Sequence, residues 1–480
     1  MYSEEILPLN VLDNIKGQYL EAFLIAHEGW RRGLKLKWYN ENNSTTFNFA
    51  QELTGRYFSL QDGENTHYFF RTRGDKVSNE GLLVSRDKVN TKELLSKNGI
   101  PVPLGKKFRI TSKKEIVTYA NQIGYPVVLK PLDGTMGKGV FCDIKSEQEL
   151  LEHHEYFLTQ LPYKSCIIEK QYDGEEHRIY VVGEEAVSCI NRKKAYVIGD
   201  GVHTIKELID LKNNERSKNP YLRDKPIKVD YDLKNNLVKY NLNIDDICAA
   251  GQKINLRSIS NLSKGGEPHE VSKNISKEIK ELAVKSLKSL PGVAHGGVDI
   301  IIDSKDETKG TVIEINTVAE IVFHFYPMSG EPVPIPGKIM DYYFPKTIDM
   351  PKSNFYFDYP GLIKYLDTGI VEEIAIKNLP KGDILAKNIV LKLNKVTATK
   401  LKSLRYLAIK NDISGESIKV DENTISLRLY QTNSQNLDLF LENLQKKFKF
   451  QIKKFEVDKN IKIFQLGGFH HKTNKKKSST

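Results

Sequence analysis

With 480 residues, 39% of them hydrophobic and 28% charged, the chain can bury several cores, which excludes disorder throughout and suggests three or four structural units. Lysine and arginine number 72 against 61 aspartates and glutamates, for a formal charge of +11; because that excess is spread along the chain, with one dense run from Lys472 to Lys477, nucleic acid is not an expected partner. No apolar run approaches the ~20 residues that cross a bilayer, no secretory segment opens the chain, and Cys142, Cys166, Cys189 and Cys248 lack CxxC or metal-like spacing, so a cytoplasmic protein with reduced structural thiols and no stable membrane insertion is expected.

In chain order, apolar periodicity over residues 12–33 predicts a helix. Strand-like Leu34-Lys35-Leu36-Lys37-Trp38-Tyr39 follows, with further runs near Phe47 and Tyr57, and together these predict a small N-terminal α/β lobe over residues 1–85. Thr111 or Ser112 can cap a helix to Ile123, which Gly124-Tyr125-Pro126 ends before a strand reaching Lys130. That strand runs into Pro131-Leu132-Asp133-Gly134-Thr135-Met136-Gly137-Lys138-Gly139-Val140. Glycines let backbone N–H groups approach anionic oxygens, and two lysines supply point charge, which suits polyphosphate; a plain β-hairpin is the alternative. The spacing is neither the Walker lysine motif nor a dinucleotide fingerprint.

Farther on, Gly296-Gly297-Val298-Asp299-Ile300-Ile301-Ile302-Asp303 and Thr311-Val312-Ile313-Glu314-Ile315-Asn316 read as antiparallel strands joined by a polar turn over residues 304–310. Period-two alternation puts Glu314 and Asn316 on one face, and Asp299 can lie opposite. Three oxygen ligands on rigid adjacent strands suit magnesium bridging substrate phosphates; an acidic edge face is the alternative. His295 and His324 read as structural histidines. Beyond residue 350, Pro351, Pro360 and Pro380 punctuate a stretch with strands at 371–376, 388–393 and 452–457, helices near 397–407 and 437–448, and a hairpin near 418–429. This predicts a C-terminal α+β accessory module over residues 347–465, followed by a basic disordered tail over 466–480.

Taken jointly, residues 85–346 resemble the ATP-grasp carboxylate-amine ligases, closest to the ATP-grasp region of cyanophycin synthetases and to glutathione-synthetase-type ligases. The resemblance rests on Asp87-Lys88-Val89-Asn90-Thr91-Lys92-Glu93-Leu94-Leu95, Gly99-Ile100-Pro101-Val102-Pro103, the glycine-lysine turn, Ile198-Gly199-Asp200-Gly201-Val202-His203-Thr204-Ile205, Asn261-Leu262-Ser263-Lys264-Gly265-Gly266 and His324-Phe325-Tyr326-Pro327. It implies an α+β ATP-grasp fold with the ATP-grasp domain over residues 86–346. It also implies that Lys88 and Lys130 contact nucleotide phosphates while Gly134, Gly137, Lys138 and Gly139 belong to a lid closing over them. The segment 167–172, with Glu169, Lys170 and Tyr172, is similar to the hinge that reads adenine, and Glu176 matches the ribose-binding acid, with Glu175 its rival.

The same resemblance implies that Asp299, Glu314 and Asn316 hold magnesium, Glu314 bridging two ions, with manganese as a substitute ion. Arg257 and Arg192 match basic positions near the transferred phosphoryl group, and Ser263, Gly265 and Gly266 belong to a turn whose N–H groups orient the substrate carboxylate. The implied activity is amide or peptide bond formation through an acyl phosphate, on a small-molecule carboxylate and amine such as an amino acid or short peptide. A glutathione-like dipeptide ligase and a non-catalytic ATP-binding scaffold are the alternatives, and the family admits a homo-oligomer. The chain departs from the family at Val318-Ala319-Glu320, where an Ala-Pro-Gly-like turn is usual, and at Thr135, Met136, Lys138 and Val333. The acceptor side is therefore the least transferable part.

Overall fold

The computed structural model describes residues 7, 9–12, 15–40, 54–132, 139–379, 385–431, 434–457, 464–466 and 469–472. The chain divides into two compact units, one of residues 1–22, 46–49 and 69–343, the other of residues 23–45, 50–68 and 344–480.

In the first unit, a four-stranded antiparallel sheet runs in the order Gly105–Arg109, Ser165–Lys170, Val127–Pro131, Phe141–Ile144. Helices Lys113–Ile123 and Glu147–Gln160 pack on it, burying Ile116, Ala120, Leu150 and Phe157 against Val127, Leu129 and Ile168. The first helix ends at Gly124, whose φ of 73° is readily adopted only without a side chain. Ser146 caps the second, accepting from the Glu149 N–H at 3.2 Å. The expected Ser112 cap makes no side-chain hydrogen bond.

A second antiparallel sheet runs Glu267–Glu270, Glu185–Lys193, Gly174–Val182, His295–Asp303, Gly310–Asn316. Helix Lys277–Lys288 covers one face, placing Ile279, Ala283 and Leu287 in a core with Ile179, Val181, Val298, Ile300, Val312 and Ile315. Alternation leaves Arg178, Asp299, Glu314 and Asn316 for the opposite face. Strict alternation would put Val312 with Glu314. A bulge where the pairing passes from Asp299 with Glu314 to Ile300 with Val312 turns Val312 into the core. A smaller core surrounds the paired strands Tyr196–Ile198 and Lys253–Asn255 with helices Ile205–Arg216 and Tyr231–Val238.

In the second unit, Lys35–Tyr39 pairs antiparallel with both Tyr57–Gln61 and Glu373–Ala375. Phe23, Trp30, Trp38, Phe58, Phe357 and Tyr359 form its aromatic core. Another sheet runs Phe450–Val457, Leu385–Leu393, Thr424–Gln431, Ser414–Lys419, Phe469–Lys472, with helices Ala398–Lys410 and Ser434–Lys447. Two expectations change. Strands assigned to the N-terminal lobe share a sheet with a strand of the C-terminal module, so neither is self-contained; and part of the tail, Phe469–Lys472, is a strand paired in parallel with Ser414–Lys419. The run near Phe47 lies outside the described residues, as do residues 473–480. The helix expected over 12–33 is realised as Gln18–Arg31, preceded by Gly17 at a φ of 52°.

Candidate active site

The face of the second sheet opposite helix Lys277–Lys288 gathers charge in a definite order. On Gly174–Val182, Glu176 and Arg178 are two residues apart and share a face; Arg178 pairs across the ladder with Asp299, and Asp299 with Glu314. Asn316 pairs with Gly297, two residues before Asp299. Arg178 grips Asp299 through Nε to Oδ1 and through Nη2 to Oδ2 at 2.5 Å. Arg192 Nη1 bridges Glu176 Oε1 at 2.7 Å and Asp299 Oδ2 at 3.3 Å. Its guanidinium lies over the Phe323 ring, 5.9 Å from the centroid.

Asp299 is buried, at 1% exposure. Burial pushes its carboxyl up, but Arg178 and Arg192 more than offset that and hold it below the ordinary range. Gly297 allows this arrangement by close approach: a Cβ there would meet Arg178 Cδ at 2.8 Å and Ala319 Cβ at 2.9 Å. Glu314 is half-buried and has neither a hydrogen bond nor an ion pair among the described residues. Asn316 donates its amide N–H to Asp299 Oδ2 at 3.5 Å, leaving Oδ1 as an oxygen donor. No three His, Cys, Asp or Glu side chains converge as a metal centre among the described residues. Two carboxylates and one amide oxygen do share this face, a hard-oxygen set that would suit a magnesium ion, with Glu314 and Asn316 Oδ1 free of other described partners and Asp299 shared with Arg178 and Arg192.

The four-stranded sheet supplies a second cluster. Glu169, 3% exposed, pairs with Lys130 through Oε2 at 2.7 Å and with Lys92 through Oε1. Burial raises the Glu169 carboxyl, and the two lysines overcome that to hold it low. Burial and then the charge of Lys130 lower Lys92 to about 8. Lys88 starts helix Lys88–Lys97, one turn before Lys92. Gly139 sits at a φ of 71°; Gly134, Gly137 and Lys138 lie outside the described residues.

Other expected residues are placed differently. Lys170 Nζ donates to the Gly124 and Tyr125 carbonyls at 3.0 and 2.9 Å, tying down the turn before Val127. Tyr172 is exposed nearby. Glu175 lies on the opposite side of its strand from Glu176 and pairs with Lys193 at 2.6 Å, whereas Glu176 shares the Arg178 face and accepts from Ser260 Oγ. Arg257 is held by Asp230 at 2.6 and 2.8 Å, and no described hydrogen bond or ion pair joins it to Asp299. The Ser263, Gly265 and Gly266 turn corrects the expected anion nest. The Ser263 N–H bonds the Asn261 side chain, the N–H groups of Lys264, Gly265 and Gly266 bond backbone carbonyls within the turn, and Arg216 takes the Gly265 and Gly266 carbonyls.

His295 is satisfied by Tyr180 and Tyr343, at 3.1 and 3.2 Å. His324 bonds Ser188 at 2.8 Å through Nδ1. Burial, reinforced by Arg178 and Arg192, holds it neutral. The four cysteines are free. Two residues escaped the sequence reading, Arg178 and Lys92. The signals were there: Arg178 is one alternation from Glu176, and Lys92 one helical turn from Lys88.

Residues 85–197 match the RimK-like ATP-grasp domain. Over 271 residues the chain is 32% identical to a cyanophycin synthetase of Crocosphaera subtropica, covering 54% of this chain and 30% of that protein. It is also 32% identical over 310 residues to the glutathione biosynthesis bifunctional protein GshAB of Clostridium perfringens, covering 62% and 39%. A crystal structure of a bifunctional glutathione synthetase from Pasteurella multocida is similar at a TM-score of 0.51 and 25% identity, over 70% of this chain and 44% of that one. The chain thus spans less than half the length of these relatives.

Proposed function

We propose that this chain, which carries a RimK-like ATP-grasp domain in a mixed α+β fold, is an ATP-dependent carbon-nitrogen ligase joining a small carboxylate to an amine through an acyl phosphate. The observation that carries the reading is the single sheet face on which Glu314, partly buried and without a side-chain partner among the described residues, stands opposite Asp299 and beside Asn316, with Arg178 and Arg192 adjoining. A carboxylate with no described counterion is available to hold a cation.

In this reading Asp299, Glu314 and Asn316 hold magnesium, which when bound neutralises charge on the β- and γ-phosphates. Lys130 and Lys88 hold the polyphosphate, and Glu176 holds the ribose, its carboxylate oriented by Arg192. Arg178 and Arg192 place fixed positive charge where phosphoryl transfer to the carboxylate builds negative charge, so catalysis rests on positioning and electrostatics. The amine then attacks the acyl carbon, an amide bond forms and inorganic phosphate leaves. Substrates of amino-acid or short-peptide type accord with the cyanophycin and glutathione relatives.

The test is magnesium-dependent phosphate release across amino-acid and dipeptide pairs, with condensed products read by mass spectrometry. A product whose mass is the sum of the two substrates less one water supports the reading. ATP binding without any condensed product across the screen would favour the non-catalytic scaffold.

A further inference from the structure

One buried carboxylate facing two lysines is the feature that the ligase reading leaves unexplained. Glu169 and its two partners are nearly solvent-free, with side-chain exposures of 4%, 15% and 15%, and each carboxylate oxygen is taken by a different ammonium. One lysine would neutralise the acid. The second leaves the cluster with a net positive charge, which burial makes unfavourable. Such an excess is physically sensible where an anion arrives to complete it.

We propose that Lys92 is a positioning residue for the polyphosphate of a nucleoside triphosphate: by engaging one oxygen of Glu169, it keeps that carboxylate from neutralising Lys130. The inference rests on the reading of Lys130 as a phosphate lysine. With Lys92 present, the Lys92–Glu169–Lys130 group carries one unbalanced positive charge; without it, Lys130 and Glu169 close into a neutral pair that competes with phosphate. The placement is dictated by the fold. Lys92 is on helix Lys88–Lys97, and Glu169 and Lys130 are on adjacent antiparallel strands, where Glu169 pairs with Val128, two residues before Lys130.

The experiment measures equilibrium binding of MgATP and of adenosine to the full chain. Lys92→Met is expected to weaken MgATP at least about tenfold, about 1.4 kcal/mol, and adenosine less than about twofold, while Lys92→Arg restores MgATP affinity. In a Glu169→Gln background, where the Glu169 carboxylate no longer competes for Lys130, the same Lys92→Met change is expected to weaken MgATP by less than about threefold. A purely structural lysine would move ATP and adenosine together, and that result overturns the proposal. Equal losses of MgATP affinity in both backgrounds also overturn it, because Lys92 would then act without Glu169. Lys92→Gln, which keeps a hydrogen bond to Glu169 without the charge, replaces Lys92→Met if the latter does not fold, and the same outcomes apply. Lys130→Met separates the underlying reading: unchanged MgATP binding there removes Lys130 from the phosphate site, and the role of Lys92 with it.

Discussion

Gly297→Ala should damage the site through one added carbon. The new Cβ would stand 2.8 Å from Arg178 Cδ and 2.9 Å from Ala319 Cβ, where ordinary contact begins at 3.4 Å. Ala319 is held in place, since its carbonyl accepts from Thr72 Oγ1 at 2.9 Å, so Arg178 must yield by roughly 0.6 Å. That displacement stretches the paired bonds from Arg178 to Asp299, one of them 2.5 Å long, within a buried ion pair. Charged buried hydrogen bonds contribute about 1.5–3 kcal/mol each, and Arg192 still holds Asp299, so a loss of about 2–4 kcal/mol is expected. Denaturant unfolding of the full chain measures it, alongside the rate of ADP formation, which should fall at least about tenfold as the guanidinium moves. In an Arg178→Ala background the contact with Cδ is gone and that with Ala319 Cβ remains, so Gly297→Ala should then destabilise less than it does in the parent, the difference being the Arg178 part of the effect. Undiminished stability and turnover in Gly297→Ala would refute the close-approach argument.

Lys130→Met should weaken MgATP binding about tenfold or more, measured by calorimetry, because its ammonium is the charge assigned to phosphate. Ending the chain before residue 350 should give an aggregating protein, seen as lost soluble yield and dye binding, because Phe23, Trp30 and Trp38 pack on Phe357 and Tyr359 and Lys35–Tyr39 pairs with Glu373–Ala375; a soluble, cooperatively melting truncation would contradict this. Acid should destabilise each unit. Burial, with Arg31 near His27 and Arg73 near His295, lowers both histidines from 6.5 to about 3; the unfolded chain therefore binds protons that the folded one refuses, and stability falls as pH drops from 6.5 toward 3, by up to about 5 kcal/mol per histidine. Glu21 works the other way: burial and then Glu320 raise it from 4.5 to about 8, so its contribution is lost as pH rises through that window. Melting curves of His27→Gln and His295→Gln across pH 4–7 should show a weaker acid dependence than the parent.

How much the sequence revealed depended on whether the determining interaction was local. The paired strands carrying Asp299, Glu314 and Asn316 were legible because alternation is a two-residue rule, and the bulge was not, because it depends on pairing with Ile300. The helix to Ile123 and its glycine stop were legible for the same local reason. Lys130 was legible as the end of an apolar strand, whereas its sharing of Glu169 with Lys92 arises only when the helix meets the sheet. The glycine turn after Asn261 misled because an isolated Gly-Gly pair looks permissive, while Asn261 and the turn's own carbonyls take its N–H groups. The joining of Lys35–Tyr39 to Glu373–Ala375 spans more than 330 residues and leaves no local trace.

Glu314→Gln compared with Asp303→Asn decides whether the face carrying Glu314 is a metal-assisted phosphoryl-transfer site. Asp303 ends its strand and accepts the Lys305 and Asp306 N–H groups at 2.8 and 3.1 Å, so it shapes a turn. Glu314 has no described hydrogen-bond or ion-pair partner and faces Asp299. ADP formation and condensed product, followed over a magnesium titration, should be abolished at all magnesium concentrations by Glu314→Gln and nearly unchanged in Asp303→Asn. A Glu314→Gln protein with normal turnover and normal magnesium dependence would contradict the assignment.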